Sequence, residues 1–280
     1  MNSEALNYLK EKANTIRRHI IDMTSEASSG HPGGSLSAAD ILTMLYFEKM
    51  RIDPTQPKAV GRDRFILSKG HAAPVLYATL AEKGFFPKEE LANLRKINSI
   101  LQGHPDMKTV PGVEMSTGSL GQGFAVAAGM ALGGVMDGAK YRVYALLGDG
   151  ELQEGIVWEA AMFSSHYKLH NLTAILDNNG LQIDGKISEV MSPEPIADKW
   201  RAFGWYVQEI DGHCMEAMDR ALDAASAYQK GPSMIIAKTT KGKGVSFMED
   251  CADWHGKACS AVQWEKAIGE LNASCEETRG

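Results

Sequence analysis

The sequence predicts an α/β fold, a doubly wound and mostly parallel sheet with helices on both faces. Three observations predict it. Short, continuous apolar runs alternate with longer segments of helical pattern, as expected for strands buried on both faces. The run at 141–147 passes straight into Gly148-Asp149-Gly150, and a helical pattern follows at once. Composition is ordinary for a globular chain, with 44% hydrophobic and 23% charged residues among 280, and no repeat or low-complexity tract divides it. That length leaves room for one large domain or two small ones.

The elements follow in order. Residues 3–28 read as an amphipathic, charged helix, unlike a signal peptide, and 37–50 as a second helix. RFILS (64–68) is the first strand, with a helix over 73–83 behind it. The helix expected over 120–137 contains FAVAAGMALGGVM (124–136), too short to span a bilayer, which needs about 20 residues. YRVYALLGD (141–149), NLTAILDNN (171–179), WYVQEID (205–211) and SMIIAKT (233–239) are the remaining strands. Helices over 154–168, 194–203 and 214–229 fall between them. In such a sheet ligands bind beyond the carboxyl ends of the strands.

Net charge is −6, from 29 basic and 35 acidic residues, which argues against a nucleic-acid partner. With no membrane segment, the reading is a soluble, cytoplasmic protein. The cysteines at 214, 251, 259 and 275 form no CxxC pair and read as free thiols. No GK is followed by Ser or Thr, so there is no P-loop. His166 and His170 stand four apart but lack a third ligand and an HExxH context, so a solvated helix end is expected there. His19 and His213 carry no motif.

The strongest signal lies in 148–181. Two glycines around Asp149 let the chain turn sharply and approach a ligand closely. The carboxylate then sits at a strand end beside a helix N-terminus, a good place for a magnesium or calcium ion bridging a diphosphate. The next strand ends in Asn178-Asn179-Gly180-Leu181, whose amide and main-chain oxygens are hard donors suited to the same ion. Asp149 and Asn179 are 30 residues apart, the length of one βαβ unit, so both should emerge on one edge of the sheet. Each piece alone is also an ordinary turn; the combination at this spacing is what is specific.

GDGELQEGIVWEA…LDNNGLQIDG resembles the thiamine diphosphate motif of the transketolase family. SGHPGGSLSAADIL (29–42), RFILSKGHAAP (64–74), QGHPD (102–106), STGSLGQG (116–123) and AKTTKGKGVSFMED…WHGKA (237–258) resemble further transketolase segments in family order. The resemblance implies a thiamine diphosphate-binding fold that holds thiamine diphosphate with Mg2+, or Ca2+ or Mn2+ in its place. It implies that Asp149, Asn179 and the carbonyl of Leu181 hold the ion, and that Gly148 and Gly150 flank the diphosphate, Gly150 lending an amide. Gly118 and Leu120 would face the coenzyme rings, and His71 and His255 would lie near the diphosphate and the sugar. His31, His71, His104 and His255 would bind substrate hydroxyls and move protons, work suited to a group that donates and accepts near neutral pH. Glu154 and Glu159 would lie near a subunit interface, with Glu154 close to the cofactor. Lys241 and Lys243 in TTKGKG fit either an anion contact or a flexible exposed loop.

The resemblance covers only the diphosphate-binding part of a transketolase. The pyrimidine-binding and C-terminal domains are expected on a partner chain, with two copies of each subunit in the active assembly and sugar phosphates as substrates. Alternatives are a deoxyxylulose phosphate synthase-like or 2-oxo acid dehydrogenase alpha-like subunit, and a non-catalytic scaffold subunit. A plain Rossmann domain lacks its GxGxxG here.

Overall fold

A computed structural model describes residues 1–277, the side chains of 275–277 excepted. Helix α1 (Ser3–Glu26) is capped by Asn2, whose side chain accepts from the Ala5 N–H at 2.8 Å. Leu9, Ala13, Ile16, Ile20 and Met23 recur at helical spacing and bury one face of it. Helices α2 (Pro32–Ser37) and α3 (Ala39–Met44) follow, then one wide π-type turn at Leu45–Lys49. The single helix expected over 37–50 is thus interrupted, and helical structure begins earlier, with Pro32 at its first position where a missing N–H costs nothing.

The sheet and its cover come next: β1 (Arg64–Leu67), α4 (Ala73–Lys83), α5 (Gln122–Met136), β2 (Val143–Gly148), α6 (Gly155–His166) and β3 (Leu172–Asn178). A small hairpin, β4 (Leu181–Gln182) with β5 (Gly185–Lys186), leads into α7 (Ile187–Val190) and α8 (Ile196–Ala202). The chain ends in β6 (Tyr206–Asp211), α9 (Met215–Ala227), β7 (Ser233–Lys238) and α10 (Ala261–Glu277). The five expected strands form one parallel sheet in the order β1-β2-β3-β7-β6. The hairpin, α7 and α10 were not anticipated.

Side-chain alternation along the strands builds a core on each face. Phe65, Leu67, Tyr144, Leu146, Ile175 and Ile235 pack with α1, α3, α4 and α9. Ile66, Val143, Ala145, Leu147, Ala174, Leu176, Met234 and Ile236 pack with α5, α6 and α8, around the fully buried Trp200. The chain runs β1, β2, β3 in one direction, jumps to the far edge at β6, and returns to place β7 beside β3. That reversal opens a crevice beyond the carboxyl ends of β3 and β7. Among the described residues no helix is long and apolar enough to cross a membrane.

Candidate active site

Four strands deliver chemistry to that crevice. Lys69 and His71 follow β1, Asp149 follows β2, Asn179 and Leu181 follow β3, and Lys241 follows β7. Gly148 and Asp177 are register partners, so the two turns carrying Asp149 and Asn179 leave adjacent strands side by side. The result is a cleft of about 220 Å³ lined by Lys69, His71, Leu120, Asp149, Asn179, Leu181, Lys241 and His255, with Gly148, Gly150 and Glu154 on its wall.

Asp149 is 3% exposed. Its carboxylate accepts from the Gly150 N–H at 2.8 Å and the Gly180 N–H at 2.6 Å. Burial and the neighbouring Asp177 carboxylate push it up to about 6, the signature of a negative charge lacking a strong counter-ion. Asn179 points its Oδ1 at the Leu181 N–H, 3.1 Å away, while its Nδ2 lies 3.5 Å from Asp177 and from Ser37. Asp177 is fully buried and receives Lys69 Nζ, Thr239 Oγ1 and, at 2.5 Å, Ser37 Oγ. The Lys69 ammonium holds Asp177 below the usual carboxylate range despite its burial. Lys69 also donates to the Gly34 carbonyl at 2.8 Å.

Lys241 is 1% exposed, so the TTKGKG segment is not a flexible exposed loop. Its Nζ lies 3.0 Å from His255 Nδ1 and 3.5 Å from the Leu181 carbonyl. Burial and the nearby Lys69 charge pull it down to about 8. Lys243 is turned away and pairs with Glu249 at 3.3 Å. His31, His71 and His255 form a cluster with ring centroids 5.4, 5.4 and 5.1 Å apart. Burial and surrounding positive charge lower all three, His31 and His255 to about 4, so each is neutral at pH 7. His31 Nδ1 is buried with no partner among the described residues.

A match to the family described as "Transketolase, thiamine diphosphate binding domain" extends over residues 9–271. The chain belongs to that transketolase family. It is 46% identical over 277 residues to an apulose-4-phosphate transketolase subunit of Phocaeicola vulgatus, covering 99% of this chain and 97% of that one. It is 46% identical over 263 residues to the 6-deoxy-6-sulfo-D-fructose transketolase subunit SqwG of Clostridium sp., covering 94% and 96%. Human transketolase is 45% identical over 99% of this chain, but only 44% of its own length is matched. Among solved structures, the transketolase of Campylobacter jejuni superposes with a TM-score of 0.89 at 35% identity, over 96% of this chain and 45% of that one.

The donor set suits the family's cofactor. Among the described residues no three His, Cys, Asp or Glu side chains gather as a metal site. The Asp149 carboxylate, the Asn179 amide oxygen and the Leu181 carbonyl are hard oxygen donors of the kind a divalent ion takes. Two buried ammonium groups line the same cleft: Lys69 is paired with Asp177, and Lys241 adds positive charge suited to a diphosphate. The other residues singled out in the sequence sit as follows. Gly118 does not line the cleft; a Cβ there would stand 3.1 Å from the His104 ring, so Gly118 makes room for that histidine. His104 is exposed and outside the three-histidine cluster, although it still adds to the charge that lowers His31. The Gly150 N–H is engaged by Asp149 and would have to change partner to serve a phosphate. Glu154 and Glu159 are exposed. His166 ends α6 with its ring against Tyr167, and His170 lies beyond the helix, so they form no pair on one face. Cys214, Cys251 and Cys259 are free thiols; the Cys275 side chain lies outside the described residues.

Three site residues escaped the sequence reading: Lys69, Glu151 and Asp177. Glu151 is 1% exposed and accepts from Ser68 Oγ, from Gly121 N–H at 2.8 Å and from Gly148 N–H at 3.1 Å, tying three loops together. Ionisable residues at the ends of otherwise apolar strands were the available signal.

Proposed function

We propose that this chain is the thiamine diphosphate-binding subunit of a two-subunit transketolase. It moves a two-carbon ketol unit from a ketose phosphate to an aldose phosphate. What carries the reading is mutual coverage. The chain matches two proteins named as transketolase subunits over nearly their whole length, and single-chain transketolases over less than half of theirs.

In this reading Asp149, Asn179 and the Leu181 carbonyl hold Mg2+ or a similar divalent ion, and Lys241 meets part of the remaining diphosphate charge, Lys69 being paired with Asp177. The chemistry supplied by the bound cofactor is reversible cleavage of the carbon–carbon bond next to a ketose carbonyl. His31, His71 and His255, kept neutral by burial, present ring nitrogens that accept and return hydroxyl protons. His104, exposed in this chain, joins them in binding substrate hydroxyls. Leu120 gives the rings an apolar contact, and Glu154 and Glu159 face the neighbouring subunit. The single domain 1–280 supplies only this half of the active site.

A partner chain carrying the pyrimidine-binding and C-terminal domains completes it, two copies of each assembling in the cytoplasm. The apolar groove between α5 and α6, lined by Ala125, Ala128, Gly129, Ile156, Ala160 and Phe163, supports such a partner face. Metabolism of pentose phosphates is one admissible setting. The test is ketol transfer from xylulose 5-phosphate to ribose 5-phosphate, with pyruvate as the competing donor. Turnover should need the partner and reject pyruvate; turnover by the chain alone would overturn the reading.

A further inference from the structure

A part-buried polar relay joins the helical layer to the Lys241 segment. His213, which carried no motif in the sequence, follows β6 and opens the turn into α9. Its own N–H donates to Asp211 Oδ1 at 2.8 Å, which fixes the backbone there. The ring bridges two partners: Nδ1 lies 2.7 Å from Asp40 Oδ2, and Nε2 lies 2.9 Å from the Thr240 amide nitrogen. A backbone N–H can only donate, so Nε2 carries the lone pair and the proton sits on Nδ1, directed at Asp40. Asp40 is itself gripped by Arg17, Nη1 at 3.1 Å and Nη2 at 2.5 Å, which locks α3 to α1. Glu249, which also faces the ring, accepts from the Gly244 N–H at 3.0 Å and pairs with Lys243 at 3.3 Å.

The relay therefore ends on the residue preceding Lys241. Neighbouring bonds fix the rest of the segment. Thr239 Oγ1 donates to Asp177, Gly242 N–H to the Gly33 carbonyl at 3.0 Å, and Asp250 N–H to the Lys241 carbonyl at 3.0 Å. We propose that His213 is a positioning residue that sets the Thr240 backbone and so delivers the Lys241 ammonium into the cofactor cleft. Without an acceptor, the Thr240 N–H turns to find one, and Lys241 loses its place beside His255 and Leu181. The proposal rests on the reading of the cleft as the diphosphate site.

The test uses the full chain reconstituted with its partner, and titrates thiamine diphosphate with Mg2+ calorimetrically. His213→Leu should weaken cofactor binding about tenfold, the scale of one buried hydrogen bond lost at a charged site. His213→Asn, too short to reach both partners and milder for folding, should weaken it likewise. His213→Gln, which keeps an acceptor within reach of Thr240, should restore it to within about threefold. Lys241→Ala should weaken binding by itself, and adding His213→Leu to it should cost little more, because both act through one group. The proposal falls if folded His213→Leu and His213→Asn bind like the wild type, if Lys241→Ala has no effect, or if the double variant shows the full product of the single losses. Asp149→Ala separates the two levels: unchanged affinity in that variant would overturn the cleft reading itself.

Discussion

At the residue scale, burial decides what each charge in the cleft can do. Asp177 is placed as the counter-charge of Lys69, and Asp177→Asn leaves a buried ammonium without it. The expected loss is about 3–5 kcal/mol, read from the denaturant midpoint, because an unpaired buried charge costs more than the pair gains. The histidine cluster makes a second prediction. His31 and His255 are lowered from the ordinary value of 6.5 to about 4, so below 6.5 the unfolded chain binds more protons than the folded one. Stability is then lost as pH falls from about 6.5 toward 4, the sign expected when buried neutral histidines must charge. A thermal melt at pH 7 and at pH 4.5 should show a drop, and His31→Asn should reduce that drop. An equal drop in the variant would remove His31 from the account.

At the element scale, the turns between strands and helices set the site. Gly242 has φ +78°, and a Cβ there would meet the Met248 carbonyl oxygen at 2.3 Å. Gly242→Ala should cost more than about 1 kcal/mol and loosen Lys241, measured as a lower melting temperature with weaker cofactor binding. The strands were legible in the sequence because strands buried on both faces read as unbroken apolar runs, RFILS and TAIL among them. Asp149 and Asn179 were legible because a glycine-flanked acid and an asparagine pair ended consecutive runs. Lys69 and Asp177 were not, since their meaning lies in contact across 108 positions of chain. That Gly118 packs against His104 was not legible, because a loop's spacing does not say which way it faces. The breaks in the 37–50 helix were hidden because residues 37–46 are buried all round, leaving no amphipathic period to interrupt.

At the scale of the whole molecule, the fold brings Asp149, Asn179, two buried lysines and three neutral histidines together beyond one edge of the sheet. Met136 is 77% exposed and Met162 58%, on α5 and α6, the helices that form the apolar groove. Purified alone, the chain should bind cofactor weakly and show no ketol transfer; mixing with the partner should restore both and bury this face, seen as lost hydrogen exchange along 122–136 and 155–166. The most direct test of the central claim is a calorimetric titration of thiamine diphosphate with Mg2+ into the reconstituted pair, wild type against Asp149→Ala. The account predicts saturable binding by the wild type and a loss of at least about a hundredfold in the variant, more than a supporting residue would give. Equal affinities would contradict it.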